Sequence, residues 1–211
     1  MPKSIAIIDY GAGNLRSIQK ALAHVAANTA SGLTVELTAD PQVVERADAV
    51  VLPGVGAAGA TMRHLEQQEL LDPLRRAAMG PRPFLGICLG LQLLFEHHGE
   101  DDCAGLGVLP GQVNRLPGGV KVPHMGWNNV TTTTAEMFGP VAGRPYFYFV
   151  HSYYAAPAAE LAGAVVGTTH HGVTFCSALV YRNIWATQFH PEKSGRAGLE
   201  LLARFAARVA A

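Results

Sequence analysis

The sequence predicts an α/β fold: a single-domain, open, mostly parallel twisted sheet flanked by helices, with antiparallel β additions in the C-terminal half. Two observations carry this. In the first half, short apolar runs such as SIAIID and AVVL alternate with longer amphipathic stretches, the pattern of βαβ units whose strands are buried on both faces. From residue 105 to 190 the pattern changes to short β-rich pieces separated by Gly, Pro and Asn, as in antiparallel strands and their turns. A length of 211 residues fits one domain, expected to span residues 1–211, with a substantial buried core.

Each element has a local reason. Ser4 to Asp9 is a short apolar run stopped by a Gly-containing turn and reads as a central parallel strand. A helical stretch from Asn14 to Ala27 follows, then a strand over Thr34 to Thr38, a short helix after Pro41 and a strand from Ala49 to Leu52. Helical periodicity runs from Ala60 to Ala78, with a break expected near Asp72 and Pro73. Pro83 to Ile87 is the next strand and leads straight into a helix expected from Leu89 to His97. The pieces VLPGQVNRL, GWNNVTTT, YFYFVHSYYA, GAVVGTT, FCSALVYRN and IWATQFH are expected as antiparallel additions to the sheet. An amphipathic helix from Gly195 to Ala210 closes the chain, with Leu199, Leu201, Leu202 and Phe205 as its buried stripe.

Composition excludes several function classes. Sixteen basic residues balance sixteen acidic ones without a basic cluster, which argues against a general electrostatic role on nucleic acid or anionic membrane. No run reaches the roughly 18 apolar residues of a membrane span, and MPKSIAIIDYG lacks a signal peptide's apolar segment and cleavage site, so a cytoplasmic protein is expected. Cys88, Cys103 and Cys176 form neither a CxxC pair nor an even disulfide set, which fits a reducing compartment. No metal or other cofactor is expected: the histidines outside the motif below show no ligand spacing, and Arg16 stands where a dinucleotide fingerprint starting at Gly11 needs its third glycine. With 49% hydrophobic and 15% charged residues, part of the surface is expected to be covered by a partner, although an Ala-rich chain raises the first figure without an interface.

Chemistry concentrates in three segments. In FLGICLGLQLLF, Gly86 and Gly90 flank Cys88 as in a nucleophile elbow, where small neighbours let a strained strand–turn–helix present one side chain above the sheet. A following helix would favour the thiolate through its dipole, whereas the alternative is a buried structural cysteine. FHPEKS supplies His190 as acid and base and Glu192 as its orienting group, with Pro191 keeping the segment extended so that both side chains point one way. LPGVGAAG lies at the carboxyl end of a parallel strand, where Gly54 and Gly56 would let a backbone N–H face a substrate carbonyl; an ordinary tight βα turn reads equally well.

Together GICLGLQ, PGVG and FHPEKS resemble class I, triad-type glutamine amidotransferase domains over nearly the whole chain. IDYGAGN, KVPHMGWN, YFYFVHSYY and the lysine inside HPEKS narrow the resemblance to the glutaminase subunits of imidazole glycerol phosphate synthases. The resemblance implies a catalytic triad of Cys88, His190 and Glu192 that hydrolyses L-glutamine through a glutamyl thioester, with oxyanion groups at Gly54, Val55, Gly56 and Leu89. It places Gln92, Glu100, Ser152 and Tyr153 around the substrate, and Asn14, Tyr148 and Lys193 at a subunit interface. His124 to Asn128 would shape the wall between site and interface, with Trp127 equally suited to the core. It also implies a partner, a separate (β/α)8-barrel cyclase subunit of the HisF type in a heterodimer. That partner would take the ammonia and make imidazole glycerol phosphate and AICAR in histidine biosynthesis. Leu91 departs from the methionine common in the elbow, a volume-conserving change. A stand-alone cysteine hydrolase of the γ-glutamyl hydrolase or peptidase type is the alternative, and a scaffold that had lost activity would show a broken triad.

Overall fold

In the computed structural model, residues 3–11, 13, 15–27, 32–133, 135–139 and 144–211 are described. Asn14 lies outside them. The chain begins β1 (Ser4–Ile8), α1 (Leu15–Ala26), β2 (Thr34–Thr38), α2 (Pro41–Arg46), β3 (Ala49–Gly54), α3 (Ala58–Gln67), α4 (Leu71–Met79), β4 (Phe84–Cys88) and α5 (Leu89–Gln92). It continues β5 (Phe95–His98), β6 (Cys103–Ala104), β7 (Leu109–Arg115), β8 (His124–Asn129), β9 (Thr131–Thr132), α6 (Ala135–Phe138), β10 (Tyr146–His151), β11 (Tyr153–Pro157), β12 (Val165–His171), β13 (Val173–Tyr181), β14 (Ile184–Thr187) and α7 (Gly195–Ala210).

The main sheet has eight strands in the order β2-β1-β3-β4-β14-β13-β12-β9. The pairs from β2 to β14 are parallel, and β13, β12 and β9 extend the sheet antiparallel. The expectation of antiparallel additions therefore holds for only part of the C-terminal half. The segment IWATQFH, expected among those additions, supplies β14, which lies parallel to β4, and the remaining strands form two separate sheets, β11-β7-β5-β6 and the pair β10-β8.

Period-two alternation in the central strands divides the core into two layers. Ile5, Ile7, Val51, Leu85, Ile87 and Trp185 face one layer with α1 and α7; Ile8, Val50, Leu52, Phe84, Ile184 and Ala186 face the other with α3 and α4. The strand side chains are almost entirely buried in both layers, which is why these strands carry continuous apolar runs. In α7 the buried stripe is Leu201, Leu202, Phe205, Ala206 and Val209, while Leu199 is only partly covered.

Two boundaries differ from the sequence reading. The helix break falls at residues 68–70, and Pro73 sits in the first turn of α4, where a missing N–H costs nothing. The helix after Cys88 stops at Gln92, and Phe95 to His98 is a strand. LGLQLLF is apolar on every side and buried throughout from Leu89 to Phe95, so its periodicity does not distinguish helix from strand. Pairing with β7 decides the matter.

Candidate active site

The elbow is a consequence of backbone geometry. Cys88 ends β4 with φ 55° and ψ −107°, a conformation that a non-glycine residue holds only under constraint, at a cost of order 1–3 kcal/mol. A Cβ at Gly90 would lie 1.8 Å from the Leu52 carbonyl oxygen, and one at Gly86 would lie 2.9 Å from the Gly90 oxygen. Both positions admit only glycine, so the two glycines are the condition for the turn. The helix that follows, α5, is only four residues long, so fewer peptide dipoles align behind the thiol than the sequence reading expected. Gln188 Nε2 donates to Cys88 Sγ at 3.6 Å, and the sulfur lies 3.8 Å from the Val150 carbonyl oxygen.

His190 arrives by continuation of β14, the parallel neighbour of β4. Its Nδ1 lies 2.8 Å from Glu192 Oε1, with both side chains almost entirely buried, at 3% and 5% exposure. The segment is not extended through Pro191, as the sequence reading expected: residues Pro191–Lys193 form one 3-10 turn. The proline sits in the first turn and bends the chain so that Glu192 reaches back to the ring. Burial alone would lower the His190 pKa. Cys88, by charge and hydrogen bonding, and then Glu192 overcome this and raise it to about 10. With Nδ1 committed to Glu192, the Cys88 contact falls to Nε2, which is buried and has no partner of regular geometry. Thiol, imidazole and carboxylate are thus in sequence, with the ring disposed to hold a proton between sulfur and carboxylate.

A cleft of about 250 Å³ opens beside the elbow, lined by Val55, Gly56, Cys88, Leu89, Gln92 and Glu100 on one side and by Val150 to Tyr153 on the other. It is smaller than the roughly 300–1,000 Å³ typical of drug-sized ligands and suits a small metabolite. All four residues expected around the substrate line it. Gly54 pairs with Cys88 across β3 and β4, and a Cβ there would lie 2.6 Å from that of Leu89, so the loop and elbow touch. Gly56 has φ +101°, which only glycine adopts without strain. The Tyr10 hydroxyl donates to the Pro53 carbonyl at 3.2 Å. Burial pushes its phenol pKa upward, and the nearby Val55 backbone and Thr61 side chain act in the opposite sense. The hydrogen bond to Pro53 fixes the orientation of the Pro53–Gly54 peptide at the start of the loop.

A sequence model of class-I glutamine amidotransferases matches residues 6–209. This chain belongs to the class-I glutamine amidotransferase family. It is 49% identical over 205 residues to the imidazole glycerol phosphate synthase subunit HisH of Moorella thermoacetica, covering 96% of this chain and 94% of the relative. It is 50% identical over 202 residues to the protein of the same description from Methanothermobacter thermautotrophicus, covering 95% and 96%. Among solved structures, a glutamine amidotransferase superposes with TM-score 0.74 at 18% identity, covering 98% of both chains. Another, from Thermotoga maritima, gives 0.68 at 17% identity, covering 100% of this chain and 99% of the other. Those two structures share the fold.

In this amidotransferase the structure adds residues that the sequence reading left without a role. Gln92 Nε2 donates to Gln188 Oε1 at 2.9 Å and to the Tyr153 carbonyl at 2.8 Å, while His98 Nε2 meets Gln92 Oε1 at 2.9 Å. The Glu100 backbone N–H donates to His98 Nδ1, so His98 is a neutral ring with its proton on Nε2. Glu100 itself accepts from the Ala58 backbone N–H at the start of α3. The signal for Gln188 was its place two residues before His190. Its partners are distant in sequence, and no local pattern marks them.

The expected interface residues that are described sit together. The Lys193 ammonium lies 5.8 Å from the centre of the Tyr148 ring, and Trp127 packs edge-on against the same ring. Tyr148 is half-buried at the surface, and Trp127 is 57% exposed rather than part of the core. Cys176 is buried, which pushes its thiol up to about 12, and burial also raises that of Cys103, as suits packing residues. Among the described residues no three His, Cys, Asp or Glu side chains group as a metal site, and no helix is long and apolar enough to cross a membrane.

Proposed function

We propose that this chain is the glutaminase subunit of an imidazole glycerol phosphate synthase, acting in the cytoplasm as one domain over residues 1–211. The observation that carries the chemistry is the buried His190–Glu192 pair acting on a cysteine held at positive φ. Cys88 thiolate attacks the side-chain amide carbon of L-glutamine. The oxyanion is received by the Leu89 N–H, which follows the nucleophile and has no helical partner, and by the Gly54–Gly56 loop. His190, held by Glu192, gives its Nε2 proton to the departing nitrogen, so ammonia leaves and a γ-glutamyl thioester remains. The same nitrogen then takes a proton from water, hydroxide attacks the thioester, and glutamate leaves as the thiolate returns. Gln92, Glu100, Ser152 and Tyr153 shape the cleft for the amino acid.

The free ammonia has a use only in a second active site, and the relatives of about 50% identity are described as subunits. The partner is a (β/α)8-barrel cyclase subunit in a one-to-one heterodimer, docked on the face that carries Trp127, Tyr148 and Lys193. Glutaminase assays on the purified chain, with and without that subunit and its nucleotide ligand, test the reading. Slow hydrolysis alone and strong acceleration in the complex are expected. Full activity in isolation would overturn it in favour of a stand-alone cysteine hydrolase.

A further inference from the structure

The β8–β10 pair has two unlike faces. Residues paired across the ladder share a face, so Met125 with Val150, Trp127 with Tyr148 and Asn129 with Tyr146 lie on one side. This outer side carries Met125, Trp127 and Tyr146, each close to 60% exposed. His124 with His151, and Asn128 with Phe147, lie on the other. Both histidines are buried.

The inner face carries an array of hydrogen bonds whose direction is fixed at every step. Asn128 Oδ1 accepts from the Asn129 N–H at 2.8 Å, which leaves Nδ2 to donate to His124 Nε2 at 3.1 Å. A neutral His124 then carries its proton on Nδ1 and donates to His151 Nε2 at 2.9 Å. His151 Nδ1 donates to the Tyr153 carbonyl at 2.7 Å, the same oxygen that accepts from Gln92. Gln92 donates on to Gln188, and Gln188 to the Cys88 sulfur. Burial holds both imidazoles well below their ordinary pKa, His124 at about 4 and His151 at about 3, as a chain of neutral rings requires. The protonated nitrogen on each ring is Nδ1.

We propose that His124 and His151 are positioning residues that transmit occupancy of the outer face of β8 to Gln92 and the Cys88 thiol. Trp127 and Met125 on the outer side and His124 and Asn128 on the inner side belong to one strand. A partner that shifts the strand moves the first donors of the array, and the displacement reaches the cleft through the two rings to the Tyr153 carbonyl, which Gln92 also holds. From Asn128 through His124 and His151 to the Tyr153 carbonyl each group donates to the next, so these bonds reinforce one another, and Gln92 is coupled to them by sharing that carbonyl as a second donor, whose position the run sets. This inference rests on the reading above that a subunit covers the outer face.

The test compares wild type, His124→Phe and His124→Asn, each with and without the barrel cyclase subunit. Asparagine places an amide donor near the position of Nδ1; phenylalanine keeps the bulk and removes the bond. His124→Phe is expected to bind the subunit normally but to lose about tenfold of the partner's stimulation of glutamine kcat/KM, within the usual span of coupling between sites. His124→Asn is expected to restore most of it. A His124→Phe chain stimulated like wild type, or one whose defect is confined to subunit affinity, overturns the inference. A wild-type chain that no barrel subunit stimulates overturns the preceding reading and this one with it. Should His124→Phe fail to fold, nitrogen-15 spectra of histidine-labelled wild type decide: bare Nε2 on both rings is expected, and an Nε2–H tautomer on either overturns the array.

Discussion

His98 Nε2 donates a 2.9 Å hydrogen bond to Gln92 Oε1, deep behind the cleft. That bond fixes which way the Gln92 amide faces, and hence that its two N–H groups point at Gln188 and the Tyr153 carbonyl. His98→Ala should therefore let the amide turn and leave a buried acceptor unsatisfied, costing about 1–3 kcal/mol of stability. Steady-state kinetics should show KM for glutamine raised by about tenfold, with kcat reduced less, as expected when ground-state positioning is lost. His98→Gln, which keeps a donor near Nε2, should recover most of both; an unchanged KM in His98→Ala would show that Gln92 is held by its other partners alone.

Stability should peak near neutral pH. Burial lowers His98 to about 4, His124 to about 4 and His151 to about 3, from an ordinary value of 6.5. The unfolded chain binds these protons first, so their contribution is complete above about 6.5 and is lost as pH falls through the folded values. His190 has the opposite sign: burial would lower it, but Cys88 and Glu192 raise it to about 10, so its contribution is complete below about 6.5 and is lost as pH rises toward 10. Each group can contribute a slope of up to about 1.4 kcal/mol per pH unit within its window. Denaturant titrations across that range should give a maximum between the two limbs, and His98→Gln should flatten the acid one.

The parts of the site that were legible in the sequence are those where the backbone imposes a residue type. Gly86 and Gly90 are required by carbonyl oxygens closer than a Cβ permits, so each leaves a local signature, whereas Pro191 suits an extended segment and the first turn of a 3-10 helix alike and did not reveal the turn that brings Glu192 to His190. The central strands were legible because burial on both faces demands apolar runs. The end of α5 was not, since a segment buried all round has no polar side to reveal its period. Gln188, His98 and His151 escaped for another reason: their roles are set by contacts such as Gln92 with Gln188, 96 residues apart, which the local pattern does not encode.

Tyr10→Phe should raise the activity of the chain without its partner. The hydroxyl donates to the Pro53 carbonyl and so fixes the orientation of the Pro53–Gly54 peptide, whose N–H belongs to the expected oxyanion loop. Removing the oxygen should cost about 1 kcal/mol of stability and free that amide to turn toward Cys88. A partner-free glutaminase rate several-fold above wild type is expected, since one oxyanion donor is worth about 100-fold when fully aligned. A rate that falls with stability instead would mean that Tyr10 only supports the loop.

Cys88 itself should show a conflict between stability and chemistry. Cys88→Ala and Cys88→Gly both remove the thiol, and in the complex both should reduce glutamine-dependent product formation by at least about 10,000-fold while supplied ammonia still supports it. The two variants differ in the backbone. At an ordinary position glycine is the less stable of the two by roughly 0.5–1 kcal/mol, because the unfolded chain gains freedom. At φ 55° and ψ −107° the strain that alanine keeps is relieved by glycine, and strain of this kind is worth about 1–3 kcal/mol. The order should therefore invert, with Cys88→Gly the more stable by about 1 kcal/mol in denaturant titration. If alanine proved the more stable, the elbow would not be strained in solution. The geometry that presents the sulfur would then have to come from the surrounding contacts, chiefly those of Gln188 and Val150, rather than from the turn.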